Sequence, residues 1–158
     1  MKQIRSYILS ILIALGTGGL SAFLTRNSMN IYEELATPPL SPPSILFPIV
    51  WTVLYVLMGV SAALIYNTPV PEGSNQKEKA LFTYALSLFV NFSWSLFFFG
   101  ERAFLFSFFW LLLLWVLVLK TILQYREINP TAALLQIPYL LWITFAGYLN
   151  LGIYLLNR

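Results

Sequence analysis

Long apolar stretches alternate with short polar ones along the whole chain, and nearly all the charge sits in the short ones. Lys2 and Arg5 open the sequence, and Arg26, Glu33 and Glu34 follow the first apolar stretch. Glu72, Lys77, Glu78 and Lys79 follow the second; Glu101 with Arg102, Arg126 with Glu127, and Arg158 mark the remaining breaks. The stretches run at about 4–25, 44–66, 80–99, 103–125 and 131–156, each near the ~20 residues an α-helix needs to cross hydrocarbon. The pattern predicts an all-α membrane protein, a five-transmembrane-helix bundle that takes up 1–158 as one membrane domain, with 26–43 as a surface loop.

Composition strengthens this. Hydrophobic residues make up 59% of 158 positions and charged ones 9%, against roughly 25% charged in soluble domains. The first stretch has the basic start and apolar core of a signal peptide. Its apolar part is longer than the usual ~7–15 residues, and Leu20-Ser21-Ala22 lacks an A-x-A pattern, so it is read as a retained span. Ala14, Gly18 and Ala22 recur every four residues and place small side chains on one face, where a neighbouring helix can come close.

Five spans put the termini on opposite sides. Lys2, Arg5, Lys77, Lys79, Lys120 and Arg126 fall on one side and Arg26, Arg102 and Arg158 on the other. The positive-inside rule then predicts a cytoplasmic N-terminus, an external C-terminus and an outward-facing 26–43 loop. The net charge of +3 is scattered over loops, unlike the concentrated basic face of a nucleic-acid-binding protein.

Pro38, Pro39, Pro42 and Pro43 stiffen the end of that loop and forbid regular helix there. They feed directly into the second span, with its Trp51 and Tyr55. The chain has no Cys and no His. It therefore lacks the residues for a disulfide, a zinc site of the usual kind, a haem site with a His or Cys axial ligand, or Ser/His/Asp or Cys/His catalysis. No metal and no required cofactor are expected. The six carboxylates lie in loops or at span ends, so the buried ionisable residue of a proton-coupled pump is missing. Lys120, about a turn and a half from the end of the fourth span, is placed to snorkel to the interface.

The spans instead carry aromatics and amides. Asn91 and Trp94 share a face of the third span at i and i+3. In the fifth, Tyr139, Trp142, Ala146 and Asn150 recur at three- and four-residue steps. Pro138 frees the carbonyl of Leu134, and the Asn150 amide needs a partner in hydrocarbon, so this helix is expected to face protein or a cavity on that side. Trp51 and Trp142 fit an interfacial belt, but Trp142, eleven residues into its span, is deep for one and is read as internal.

Three segments, TPPLSPP followed by FPIVWTVLYVLMGV, then NFSWSLFFFG, then PYLLWITFAGYLN, resemble the signature segments of the TspO/MBR family, the tryptophan-rich sensory proteins related to the mitochondrial translocator protein or peripheral benzodiazepine receptor. The resemblance covers nearly the whole chain. It implies a five-helix bundle in a bacterial cell membrane, a homodimer, and a pocket beneath the loop between spans one and two. Relatives bind protoporphyrin and related tetrapyrroles, in some branches sterols, and synthetic benzodiazepine-type ligands. Carried onto this chain, the ligand-binding positions are Tyr32, Phe47, Trp51, Asn91, Trp94, Trp142, Ala146 and Leu149.

A porphyrin is a flat apolar plate with carboxylates at one edge, suited to stacking on indole and phenol faces under a lid. Three functions follow from the resemblance: a porphyrin-binding receptor or sensor, a light- and oxygen-dependent porphyrin-degrading enzyme with Trp51 and Trp142 as its catalytic indoles, and a tetrapyrrole or sterol transporter. Relatives commonly read W-Y-x-x-L-x-K-P-x-W-x-P-P in the loop, where this chain has Ile31, Thr37 and Leu40 in place of the two tryptophans and the lysine. A lysine there could pair with a ligand carboxylate, and Arg26 and Arg102 are the candidate substitutes. Leu151, Tyr154 and Arg158 match a short sterol-contact pattern. Tyr and Arg at a helix end also serve as interfacial anchors.

Overall fold

The computed structural model describes residues 1–158. Five long helices, α1 (Lys2–Leu24), α3 (Leu46–Asn67), α4 (Gln76–Ser95), α5 (Phe104–Ile128) and α6 (Pro130–Asn157), are long and apolar enough to cross a membrane. The chain is a multi-pass membrane protein. A short helix, α2 (Ile31–Glu34), lies within the 26–43 loop, where the apolar pattern predicts none. The long helices also reach past several predicted limits: α1 starts at Lys2, α4 at Gln76, and α5 runs to Ile128. Hydropathy marks the hydrocarbon slab, while the helical hydrogen bonds continue into the polar flanks.

The end of α4 widens into a π-helical turn, Leu96–Gly100, in which Glu101 N–H donates to the Leu96 carbonyl at 3.0 Å. The proline segment stays non-helical, and α3 begins at Leu46, two residues later than predicted. Pro48 falls in the first turn of α3, where the missing N–H breaks no helical bond. At the α5–α6 turn, Asn129 Oδ1 accepts from Thr131 N–H at 3.0 Å, and Pro130 follows the cap.

Helix α1 packs on α3, α3 on α6, and α5 on both α4 and α6. Met58, Ile65, Leu114, Val118 and Ile143 fill the core, while Ile8, Leu12, Phe82, Phe89 and Leu141 face outward, where lipid would solvate them. The α1–α3 contact depends on missing side chains. A Cβ at Gly59 would lie 2.5 Å from Ile11 Cα, and one at Gly18 would enter the Tyr55 ring. The small-residue face of α1 is therefore a packing face at Ala14, which is fully buried, and at Gly18. Ala22, expected on the same contact, is exposed and borders a cavity instead; Ser21 and Thr25 take the buried positions of that turn.

Contacts sort the loops into two ends. Asn67 Nδ2 donates to Ser6 Oγ at 2.7 Å, Lys77 Nζ to the Tyr66 carbonyl at 3.0 Å, and Asn129 Nδ2 to Thr68 Oγ1 at 3.0 Å. These tie the N-terminus to the 67–79 and α5–α6 connections. At the other end the 26–43 loop folds over the bundle as a lid. Tyr148 Oη donates to the Pro39 carbonyl at 2.6 Å, and Asn157 bonds both the N–H and the carbonyl of Ala36 at 3.0 and 2.8 Å. Pro38 is buried against Gly152, where a Cβ would come within 2.6 Å of the proline ring. Pro39 and Leu40 make the lid's tight turn, with Leu40 at φ +69°, the value a type II turn takes at its third residue.

Gly59→Val is expected to lower the thermal stability of the purified protein in detergent by on the order of 1–3 kcal/mol, because backbone faces backbone there. Gly147→Ala, whose Cβ would meet only Leu111 at 3.8 Å and Phe108 at 4.0 Å, is expected to be neutral or stabilising by up to about 1 kcal/mol. Melting curves of the two variants, followed by circular dichroism, check the contrast.

Candidate ligand cavity beneath the lid

Beneath the lid lies a cavity of about 530 Å³ walled by α1, α3, α4 and α6, within the ~300–1,000 Å³ of small-molecule sites. Helical spacing explains who reaches it. Phe47, Trp51 and Tyr55 project from one face of α3 at four-residue steps, and Asn91 and Trp94 from α4 with Phe98 from the π-helical turn after it, at steps of three and four. Trp142, Ala146, Leu149 and Asn150 line the α6 wall, and Tyr32 reaches in from the lid.

The rings contact one another around the space. Tyr32 meets Phe47 edge-on at 5.0 Å, and Phe47 meets Trp142 edge-on at 5.9 Å. Trp51 stacks on Tyr55 at 5.5 Å and turns its plane at 72° to Tyr139 at 6.0 Å. Trp94 stacks on Phe98, one turn along and in the π-helical segment, at 5.1 Å.

The amides are held by protein. Tyr55 Oη donates to Asn91 Oδ1 at 3.2 Å, and Asn91 Nδ2 donates to Tyr139 Oη at 2.6 Å, which joins α3, α4 and α6. Asn150 Oδ1 accepts from Trp94 Nε1 at 3.1 Å while its Nδ2 donates to the Phe104 carbonyl at 2.8 Å. The partner expected for an amide in hydrocarbon is therefore present for both asparagines. Trp142 Nε1 is buried without a hydrogen-bond partner.

The lid has its own chemistry. Tyr32 Oη donates to the Pro42 carbonyl at 2.7 Å. Burial pushes the Tyr32 phenol above its ordinary value of 10.0, partly opposed by the nearby Ser41 hydroxyl. Glu33 borders the cavity and accepts from Ser44 Oγ at 3.0 Å.

All eight predicted ligand-binding residues, Tyr32, Phe47, Trp51, Asn91, Trp94, Trp142, Ala146 and Leu149, border this one cavity. The sterol-pattern residues lie elsewhere: Leu151 is outside the cavity, and Tyr154 and Arg158 border a shallow groove with Phe104 and Phe106. Neither candidate substitute for the loop lysine reaches in. Arg26 donates to the Phe23 carbonyl at 2.7 Å and lies 4.0 Å over the Phe23 ring, and Arg102 pairs with Glu34 at 3.8 Å. Thr37 and Leu40 do not line the cavity either, and Leu40 is 86% exposed. Sequence reasoning missed the α1 wall, Leu15, Gly18, Gly19 and Ala22, the lid residue Glu33, and Ser44 just after the lid. The small-residue stripe of α1 was the available signal for the first; nothing local marked the others.

The sequence profile of the TspO/MBR family matches residues 9–156. The chain belongs to the TspO/MBR family. It is 35% identical over 158 residues to the tryptophan-rich protein TspO of Chlorobaculum tepidum, covering 99% of this chain and 98% of that one. It is 36% identical over 156 residues to the protein of the same name from Archaeoglobus fulgidus, covering 98% and 99%. The sheep (Ovis aries) translocator protein is 36% identical over 121 residues, 75% of this chain and 70% of its own. For this TspO/MBR member the matched segment takes in the lid and all of the long helices except the start of α1 and the last residue of α6, so every residue bordering the cavity, from Leu15 to Ile153, lies in family sequence.

Asn91→Leu leaves the Tyr55 and Tyr139 hydroxyls without their shared partner and is expected to cost about 1–3 kcal/mol, read as a lower melting temperature in detergent. Because the folded-state pKa of Tyr32 is raised, its hydroxyl contributes to lid closure at all pH below about 10 and loses that contribution as pH rises through the raised value. Tyr32→Phe is expected to remove the Tyr32 share of this alkaline transition, read as the difference from wild type in the 295 nm absorbance of tyrosinate and in proteolysis of the lid, which Tyr148 also fastens through its hydroxyl.

Proposed function

We propose that this protein is a membrane receptor that holds flat, largely apolar ligands of the porphyrin class in the cavity beneath its lid. The carrying observation is the convergence of Tyr32, Phe47, Trp51, Trp94 and Trp142 on one cavity, with Ala146 as the small residue that leaves room between them. Indole and phenol rings offer large apolar area at low conformational cost, which suits an aromatic plate. The Asn91 and Asn150 amides that border the site are already bonded within the protein. The lid faces the outside and the N-terminus the cytoplasm in this reading, supported by the six basic residues that fall on the N-terminal side against three on the lid side.

Photo-oxidative breakdown of a bound porphyrin is a second reading, favoured by Trp51 and Trp142 both bordering the cavity. The plate would absorb the light, and the protein would supply confinement and oxidisable indoles.

Titration of the full chain in detergent with protoporphyrin IX is expected to quench tryptophan emission saturably. Ala146→Leu, which fills the space, should weaken binding about tenfold or more, and unchanged affinity in that variant would overturn the receptor reading. The same samples, illuminated in air, address degradation: Soret loss that persists in both Trp51→Phe and Trp142→Phe removes the indoles from it.

A further inference from the structure

We infer that the cavity selects ligands whose apolar aromatic body carries a protonated amine over ligands of the same shape that carry a carboxylate, with Glu33 as the selecting residue. The inference rests on the receptor reading above for the existence of the site, and among aromatic plates that fit it ranks those bearing an amine above the carboxylate-bearing porphyrins.

Of the residues that border the cavity, Glu33 is the only one charged at neutral pH. Its carboxylate is fixed rather than free, since Ser44 Oγ donates to Oε1 at 3.0 Å and Ser44 borders the cavity too. That is its only hydrogen bond, and no Lys or Arg compensates it. The chain's one ion pair joins Arg102 to Glu34 at 3.8 Å, and neither residue lines the cavity. Arg26, the remaining cation of the lid, is folded back on Phe23.

The neighbouring groups have the same preference. Tyr32 spends its proton on the Pro42 carbonyl, so it presents lone pairs and a ring face rather than a donor. Phe47 and Trp142 continue the aromatic wall from Tyr32. Ring faces are negative, and a carboxylate beside aromatic faces is the environment that recognises an ammonium group. A ligand carboxylate would meet Glu33 with no cation to screen it. The exposed position of Glu33 limits the size of the effect, because water and salt screen a charge at the mouth.

Three probes of one shape separate the possibilities: 1-pyrenebutylamine, 1-pyrenebutyric acid and 1-pyrenebutanol, each titrated at pH 7 and low salt into the full chain in non-ionic detergent. Energy transfer from tryptophan to pyrene reports binding, and the uncharged butanol is the reference for each protein. In the wild type the amine is expected to bind about tenfold tighter than the acid. Glu33→Gln should cut this ratio to about threefold or less, and Glu33→Lys should reverse it. Glu34→Gln removes the same charge outside the cavity and should leave the ratio as in wild type.

Equal affinities, a tighter acid, or a ratio that survives Glu33→Gln would each overturn the inference while the cavity stands. If Ala146→Leu leaves the binding of all three probes unchanged, the receptor reading falls, and the inference with it.

Discussion

Hydrocarbon offers no hydrogen-bond partner, and this constraint organises the molecule. Every span must be a helix, because only a helix satisfies its backbone within one segment. Side-chain amides must likewise find protein. Asn91 does so by bridging Tyr55 of α3 and Tyr139 of α6; Asn150 does so between Trp94 of α4 and the Phe104 carbonyl at the start of α5. These bridges tie together the helices that wall the cavity and fix the rings that take part in them. Fixed polar struts around an apolar space give a preformed site, which lowers the ordering cost of binding. The constraint is not met everywhere: the Tyr84 and Tyr125 hydroxyls, Gln136 Nε2 and, at the cavity itself, Trp142 Nε1 are buried without a partner.

The lid obeys a different logic. Proline has no N–H, so a segment with four prolines cannot be fastened through its own backbone donors at those places. It is fastened through its carbonyls and its shape instead. Tyr148 and Tyr32 donate to the carbonyls of Pro39 and Pro42, Asn157 grips Ala36 from α6, and Pro38 seats in the gap left by Gly152. Conformational rigidity then replaces hydrogen-bond density. The left-handed Leu40, with its side chain in the open, shows that the turn's geometry takes precedence over residue preference there.

Packing without side chains links the two regions. Gly59 lets the backbone of α1 approach α3, and Gly18 accommodates the ring of Tyr55, the residue that starts the α3–α4–α6 bridge. Gly18 itself, with Gly19 and Ala22 after it, also borders the cavity. One run of small residues thus serves first as contact and then as wall.

The sequence by itself determined the five spans, the proline-stiffened lid and the aromatic and amide positions that face inward, because hydropathy and helical period act locally and survive any arrangement of the helices. The family resemblance pointed to eight residues that all border one cavity, seven of them in three separate segments and Tyr32 in the loop before them, and Trp142 was legible as internal from its depth. Only the tertiary structure decided that Arg26 and Arg102 are engaged elsewhere, that Leu40 points out of the cavity, and that α1 supplies a wall. It alone left Glu33 as the single charge bordering that space. Charge at a site is a sum over residues distant in sequence, and no local pattern can report whether a side chain turns inward, pairs with a neighbour, or folds back on its own helix.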